Sequence, residues 1–355
     1  MPLQMSKFAL AAVGYAAVVT SAVQVQAADI RQVDVGLAKP LEVDTSKKLK
    51  IALFMGATNN GGLKAMVVGA QRKAKELGVS MDVFDANWDP NTMVNQMQNS
   101  LLRDYNAWVV IATDGNAVCD MVTKEAPTKN ILVSVNVVPV CGKNDGEGLD
   151  LWVRGTVAFI GGTERPSVYR NLLEKAIADT PGEKRVGLLT GNALNPLVAN
   201  LAKVTDELQA KHPDFKVVAK LDTSWSTPIA LEKATTMFQS HPEINVVFCQ
   251  YTSITHGAIA ALETKGLAGK VKVYEIGGTK WSVAELNKGE ITASSPTYPE
   301  SVGAAGVDTL AKVFAGEPIP KIILNDAGPL LPGQEADQSV IVTPKNIDAY
   351  HAQVD

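Results

Sequence analysis

The chain has 355 residues, 46% of them hydrophobic and 20% charged, a balance that suits folded domains and a length that suits two lobes better than one small core. Its formal net charge of −4 and isoelectric point near 5.7 argue against a nucleic-acid surface, as does the absence of any lysine or arginine run. The first 27 residues read as an export signal: Lys7 gives a positive start, 8–19 is apolar and small, and Val25-Gln26-Ala27 resembles a small-x-Ala cleavage site. That apolar run is about 12 residues, where crossing a bilayer takes roughly 20. The mature chain is expected to begin near Ala28 in the periplasm, without a lipid anchor, because no cysteine sits near the cleavage point.

From residue 50 short apolar runs alternate with amphipathic helices. Strands are expected over 51–55, 81–84, 108–112, 131–135 and 157–160, with helices over 61–77, 92–103 and 116–125 between them. The near-continuous apolar character of 108–112 is that of a strand covered on both faces. After Gly161-Gly162 the rhythm restarts. Helices are expected at 166–179, 197–210, 228–239, 255–265 and 282–287, and strands at 185–189, 215–221, 246–249, 271–276 and 291–293. Repeated strand–helix units imply parallel sheets, so the fold class is α/β: two doubly wound parallel-sheet lobes. Ligands of such sheets bind beyond the carboxyl ends of the strands, and two facing lobes would line a cleft with those loops.

Three cysteines remain. Cys119, early in a helix, and Cys141, just past the following strand, fall on the same sheet edge and can meet in a disulfide, which export permits; two independent buried thiols are the alternative. Cys249 lies in an apolar run and reads as a core thiol. No Cys or His spacing suggests a metal site, and no cofactor is expected. His212, His241, His256 and His351 show no paired spacing, and Gly155, Gly161 and Gly162 form no dinucleotide fingerprint, so the chain does not read as an enzyme.

Ordered segments then carry a resemblance. Asn95-Gln96-Met97-Gln98-Asn99-Ser100-Leu101 followed by Thr113-Asp114, His241-Pro242-Glu243-Ile244-Asn245 leading into 246–249, Gly257-Ala258-Ile259-Ala260-Ala261-Leu262, Leu286-Asn287-Lys288-Gly289-Glu290 and Val313-Phe314-Ala315-Gly316-Glu317 resemble the ribose-binding-like periplasmic substrate-binding proteins of ABC transporters, from about residue 50 to 317. The resemblance implies a signal peptide (1–27), an N-terminal lobe (28–162 plus 298–325) and a C-terminal lobe (163–297 plus 326–355). Three hinge segments would join the lobes, which close on a small polar ligand and present it to a membrane permease. It also implies a monomer. LacI-type repressors share this core but begin with a helix-turn-helix, which an export signal replaces here.

Four of the family's charged or amide sugar grips are altered, and so is its first loop. The first loop, Asn59-Asn60-Gly61-Gly62-Leu63, lacks the usual aromatic pair. Asn136-Val137 stands for Asp-Arg, Tyr251-Thr252 for Asn-Asp, Ile276-Gly277-Gly278 for Phe-Asp-Gly, and Thr297 for a frequent glutamine. Each missing charge-assisted bond is worth roughly 1.5–3 kcal/mol, so a polyol, a deoxy or modified sugar, or a partly apolar metabolite suits the site better than an ordinary aldose. Candidate contacts are the amides of Asn59, Asn60, Asn136, Asn192 and Asn195, the carboxylate of Asp114, the hydroxyl of Thr297, and the rings of Trp88, Trp225, Tyr251, Trp281 and Tyr298. Asn residues there also serve as turn formers and Asp114 as a helix cap. A sensory variant of the fold, of the trimethylamine-oxide sensing type, would report to a membrane histidine kinase instead. The Gly-rich loop 141–155 and the stretch 325–338 read as surface connections, with Arg154 able to reach an anionic ligand if its loop covers the cleft.

Overall fold

The computed structural model describes residues 29–59, 61–162, 165–191, 196–324 and 340–354. The expected export signal at 1–27 therefore lies outside the described residues, as do Asn60, Asn192 and Asn195.

Two parallel sheets organise the chain. The first has six strands in the order β13-β7-β6-β5-β3-β4: β3 (Lys50–Met55), β4 (Ser80–Asp85), β5 (Ala107–Ile111), β6 (Leu132–Asn136), β7 (Ala158–Ile160) and β13 (Ile322–Ile323). The second has five in the order β12-β11-β10-β8-β9: β8 (Lys184–Thr190), β9 (Phe215–Asp222), β10 (Val246–Cys249), β11 (Lys272–Gly277) and β12 (Ala293–Pro296). Central strands β5, β6 and β10 are buried at every residue because helices cover both faces.

Helices α1 (Gly61–Leu77) and α9 (Pro299–Ala315) pack on one face of the first sheet, over Leu53, Val109 and Leu132. On the other face, α2 (Pro90–Ser100) encloses Phe54, Trp108 and Val133, with Phe54 stacked on Phe84 at 5.1 Å and set edge-on to Trp108 at 5.3 Å. In the second sheet α4 (Pro166–Asp179) and α5 (Pro196–Lys211) cover Leu188, Phe248 and Tyr274. Its other face lies under α6 (Thr227–Ser240), α7 (Thr252–Thr264) and α8 (Lys280–Lys288), over Val247 and Val273.

The chain passes between the sheets after β7, whose successor α4 packs on β11 and β12. It returns after β12, whose successor α9 packs on α1 and β6. Beyond β13 the tail is again on the second sheet, where Val342 bridges Ser294.

Two features depart from the expected pattern. Residues 30–44, read as no element, form an antiparallel hairpin, β1 (Ile30–Val33) with β2 (Leu41–Asp44), that buries Val35, Leu41 and Val43 against the first sheet. It sits at the amino edge of that sheet: the Glu42 amide donates to Asn130 ahead of β6, the Gly155 amide to Val35 ahead of β7, and the Lys321 ammonium to the Asp34 carbonyl ahead of β13. The expected helix 116–125 is instead a turn followed by a π-helical segment, Met121–Glu125, running into α3 (Ala126–Thr128). Pro127 explains it: with no N–H it cannot donate to the Thr123 carbonyl, and the Ala126 amide reaches back to Met121.

The pairing of α1 and α9 leaves no room at its crossing. A β-carbon on Gly69 would come within 2.0 Å of the Glu300 carbonyl, and one on Gly303 within 2.0 Å of the Met66 carbonyl. This contact binds a helix returning from the second sheet to the first. Gly303→Ala is expected to cost about 1–3 kcal/mol by overpacking, read as a lower midpoint in urea unfolding; an unchanged midpoint would mean the crossing is not tight.

Candidate functional site

Parallel pairing sends every strand of a sheet to the same edge, so the loops after β3, β4, β5 and β6 converge on one edge of the first sheet and those after β8 to β12 on one edge of the second. Two of these loops are built alike. Asp85-Ala86-Asn87-Trp88 closes β4 and Asp222-Thr223-Ser224-Trp225 closes β9, each an outer strand of its sheet. In each, the aspartate Oδ1 accepts the amide of the residue two positions on, at 2.7 Å in both cases (Asn87 and Ser224). In each, the second residue is buried and its amide donates to the neighbouring strand, Ala86 to Met55 and Thr223 to Thr190. Asn87, Trp88, Ser224 and Trp225 all adopt left-handed backbone, with φ of 48°, 63°, 48° and 54°. That conformation is costly for a bulky residue and persists only where the surroundings dictate it. The shared Asp-x-x-Trp spacing is an internal repeat that reading the residues singly does not expose.

The two indoles differ in setting. Trp88 is 51% exposed, with its Nε1 donating to the Asn59 side chain at 3.3 Å. Trp225 lies flat on Gly191 at the end of β8, where a β-carbon would be 2.0 Å from the indole. Asp114 is exposed and accepts the Asn116 amide at 2.8 Å, a turn-forming contact. Thr297, half-buried, donates through its amide and hydroxyl to the Gly277 carbonyl. Tyr251 is half-buried at the start of α7.

Three expected contacts pack against other elements. Asn136 is fully buried: its Oδ1 accepts from Ser134 at 2.6 Å and its Nδ2 donates to the Val302 carbonyl at 2.9 Å, so its amide ties β6 to α9 instead of facing a ligand. Tyr298 is buried in the core beneath the second sheet with its ring edge-on to Tyr350. Trp281 stacks on His256 of α7, centroids 3.5 Å apart. Arg154 also lies away from the edge loops, its stem beside Gly36 of the amino-edge hairpin. In each case the fold has used the side chain to join elements, which residue type alone does not reveal.

Two polar residues behind the second edge were not singled out in the sequence. Gln250, fully buried after β10, accepts the Gly191 amide at 2.9 Å and donates to the Tyr169 hydroxyl at 2.9 Å, fixing the end of β8 to α4. Glu275, fully buried in β11, accepts from Ser294 at 3.0 Å, and its carboxyl fills the space a side chain at Gly277 would need. Burial pushes its pKa up, while the hydroxyls of Ser282, Thr255 and Ser294 and the Gly278 amide pull the other way. Cys119 and Cys141 form a disulfide, Cα atoms 4.9 Å apart, that joins the loops after β5 and β6, while Cys249 is a buried thiol with its pKa raised by burial. No group of three or more His, Cys, Asp or Glu that could hold a metal occurs among the described residues.

The raised pKa of Glu275 has a stability consequence. The folded state keeps a proton that the unfolded chain releases near 4.5, so stability falls as pH rises from there toward the folded pKa. Glu275→Gln should flatten that decline in a Tm series from pH 4.5 to 8; an identical slope would show that Glu275 does not hold the proton.

The comparisons with known proteins agree with this architecture. The model of the periplasmic binding protein domain matches residues 51–318. The ribose import binding protein of Escherichia coli (strain K12) is 27% identical over 288 residues, covering 80% of this chain and 91% of that protein. A solute-binding protein of an ABC transporter from Mycobacterium smegmatis, solved with bound glycerol, superposes with a TM-score of 0.70 at 20% identity, over 87% of this chain and 99% of that one. The Caulobacter myo-inositol binding protein superposes at 0.69 and 18% identity, over 85% and 95%. The chain thus belongs to the periplasmic binding protein family, whose members bind substrates and are not enzymes.

Proposed function

We propose that this chain captures a small neutral sugar or polyol between its two sheets and delivers it to an ABC transporter permease. The observation that carries the reading is the make-up of the two loop edges. Asn59, Trp88, Trp225, Tyr251 and Thr297 offer an amide, hydroxyls and aromatic faces there, and Asp114 is the only charged group among the candidate contacts left at those edges. Rings cover the apolar face of a polyhydroxyl ligand while the polar atoms take its hydroxyls. A relative named for ribose import, and solved structures with bound glycerol and bound myo-inositol, support that ligand class.

In this reading the lobes are 28–162 plus 298–325 and 163–297 plus 326–355, working as a monomer whose first 27 residues direct export to the periplasm. Closure about the three inter-lobe segments reports occupancy to the permease. A membrane kinase partner draws no specific support from these relatives.

Thermal unfolding against ribose, allose, xylitol, myo-inositol and glycerol tests the reading. A true ligand at a hundredfold excess over its Kd stabilises the folded state by about 2.7 kcal/mol, and Trp225→Ala should weaken its binding up to about tenfold, the upper range for one aromatic contact. A shift with amines alone, and none with any polyol, would contradict the neutral-ligand reading.

A further inference from the structure

The loop between β6 and β7 does more than connect them. Its start is fixed to the first sheet three times: by the Cys119–Cys141 disulfide, by the Cys141 amide donating to the Gly115 carbonyl at 3.1 Å, and by Gly115 lying so close to Pro139 that a β-carbon would be 2.0 Å from its carbonyl. Its end is fixed by Leu151 and Val153, both buried in the core of the first sheet. Between these anchors the residues 144–147 reach the helices of the second sheet.

Three contacts are made there. The Asn144 carbonyl accepts from Asn200 of α5 at 2.8 Å, and Asn200 is itself buried. The Asp145 carboxylate pairs with Lys203, one turn further along α5, at 3.1 Å. Glu147 accepts the Ser167 amide at 2.7 Å and the Ser167 hydroxyl at 3.0 Å in the first turn of α4, with the Arg165 guanidinium 3.6 Å away. A carboxylate from one lobe thus occupies the amino end of a helix in the other, where free amides and the helix dipole favour an anion.

We propose that residues 141–151 are a latch that holds the two lobes in the arrangement seen here without help from a ligand. The latch is rooted in one lobe by the disulfide and engages the other through a backbone carbonyl and two carboxylates. It rests on the two-lobed reading but not on the identity of the ligand. Each engaged contact is lost in an opened arrangement in which α4 and α5 have moved away, so each favours the latched one by its net worth over hydration. A ligand that binds the latched arrangement then meets a larger competent fraction, so the latch raises apparent affinity by that fraction.

The ligand-free protein provides the test, so its failure is separable from failure of the ligand assignment. Small-angle X-ray scattering of the wild type is compared with Glu147→Ala/Asn200→Ala and with Asp145→Lys. Both variants are expected to shift to a larger radius of gyration, and the charge exchange Asp145→Lys/Lys203→Asp to return to the wild-type value. Asp145 and Lys203 are more than half exposed, so those variants keep the question answerable should the double alanine variant fold poorly. Superimposable scattering curves for wild type and Asp145→Lys, or no recovery in the charge exchange, would overturn the latch.

Discussion

The structure depends on one constraint: two parallel sheets, each covered on both faces, must put all their strand ends on a single edge. Parallel strands cannot be joined by tight turns, so a helix or long loop carries the chain back each time. The residues that follow the strands therefore gather without having to be close in sequence. Residues 56–59, 86–89 and 112–115 meet at one edge, and residues 223–226, 250–251 and 278–279 at the other. The twin Asp-x-x-Trp loops show how far this goes. The same local solution, an aspartate accepting the amide two residues on and a tryptophan held in left-handed backbone, closes an outer strand in each sheet.

Polar residues in this protein divide into those that hold the edge together and those left to act on it. Asn136, Gln250 and Glu275 are fully buried and tie strands to helices or neighbouring strands. Buried polar groups are stable only when partnered, so these side chains are committed to the fold. Asn59, Trp88 and Asp114 remain at the surface of the first edge. The space a side chain at Gly277 would need is taken by the Thr252 hydroxyl and by the carboxyl of Glu275 from the same strand.

Much of the fold was legible in the sequence because periodicity is a local property. The apolar runs at 108–112 and 246–249 and the amphipathic helices between strands emerged as β5, β10 and their connecting helices. The hairpin at 30–44 was not, because its strands are only four residues each and gain their burial from the far-off edge they cover. The π-helical segment escaped because it comes from a single missing N–H at Pro127. At the site, residue type indicated what could bind, but only packing distinguishes the exposed Trp88 from Trp281, which is stacked on His256. The reach of residues 144–147 to α4 and α5 was invisible for the same reason: it joins positions 20 to 58 residues apart that no local pattern links.

Amide hydrogen exchange of the protein with and without a saturating polyol or sugar tests most directly whether a ligand is held between the two sheet edges. New protection is expected in the carboxyl-edge loops of both sheets, at 56–59, 86–89, 223–226 and 250–252, with the amino-edge hairpin at 30–44 unchanged. Protection confined to one sheet, or centred on the hairpin, would contradict a ligand held between the two edges.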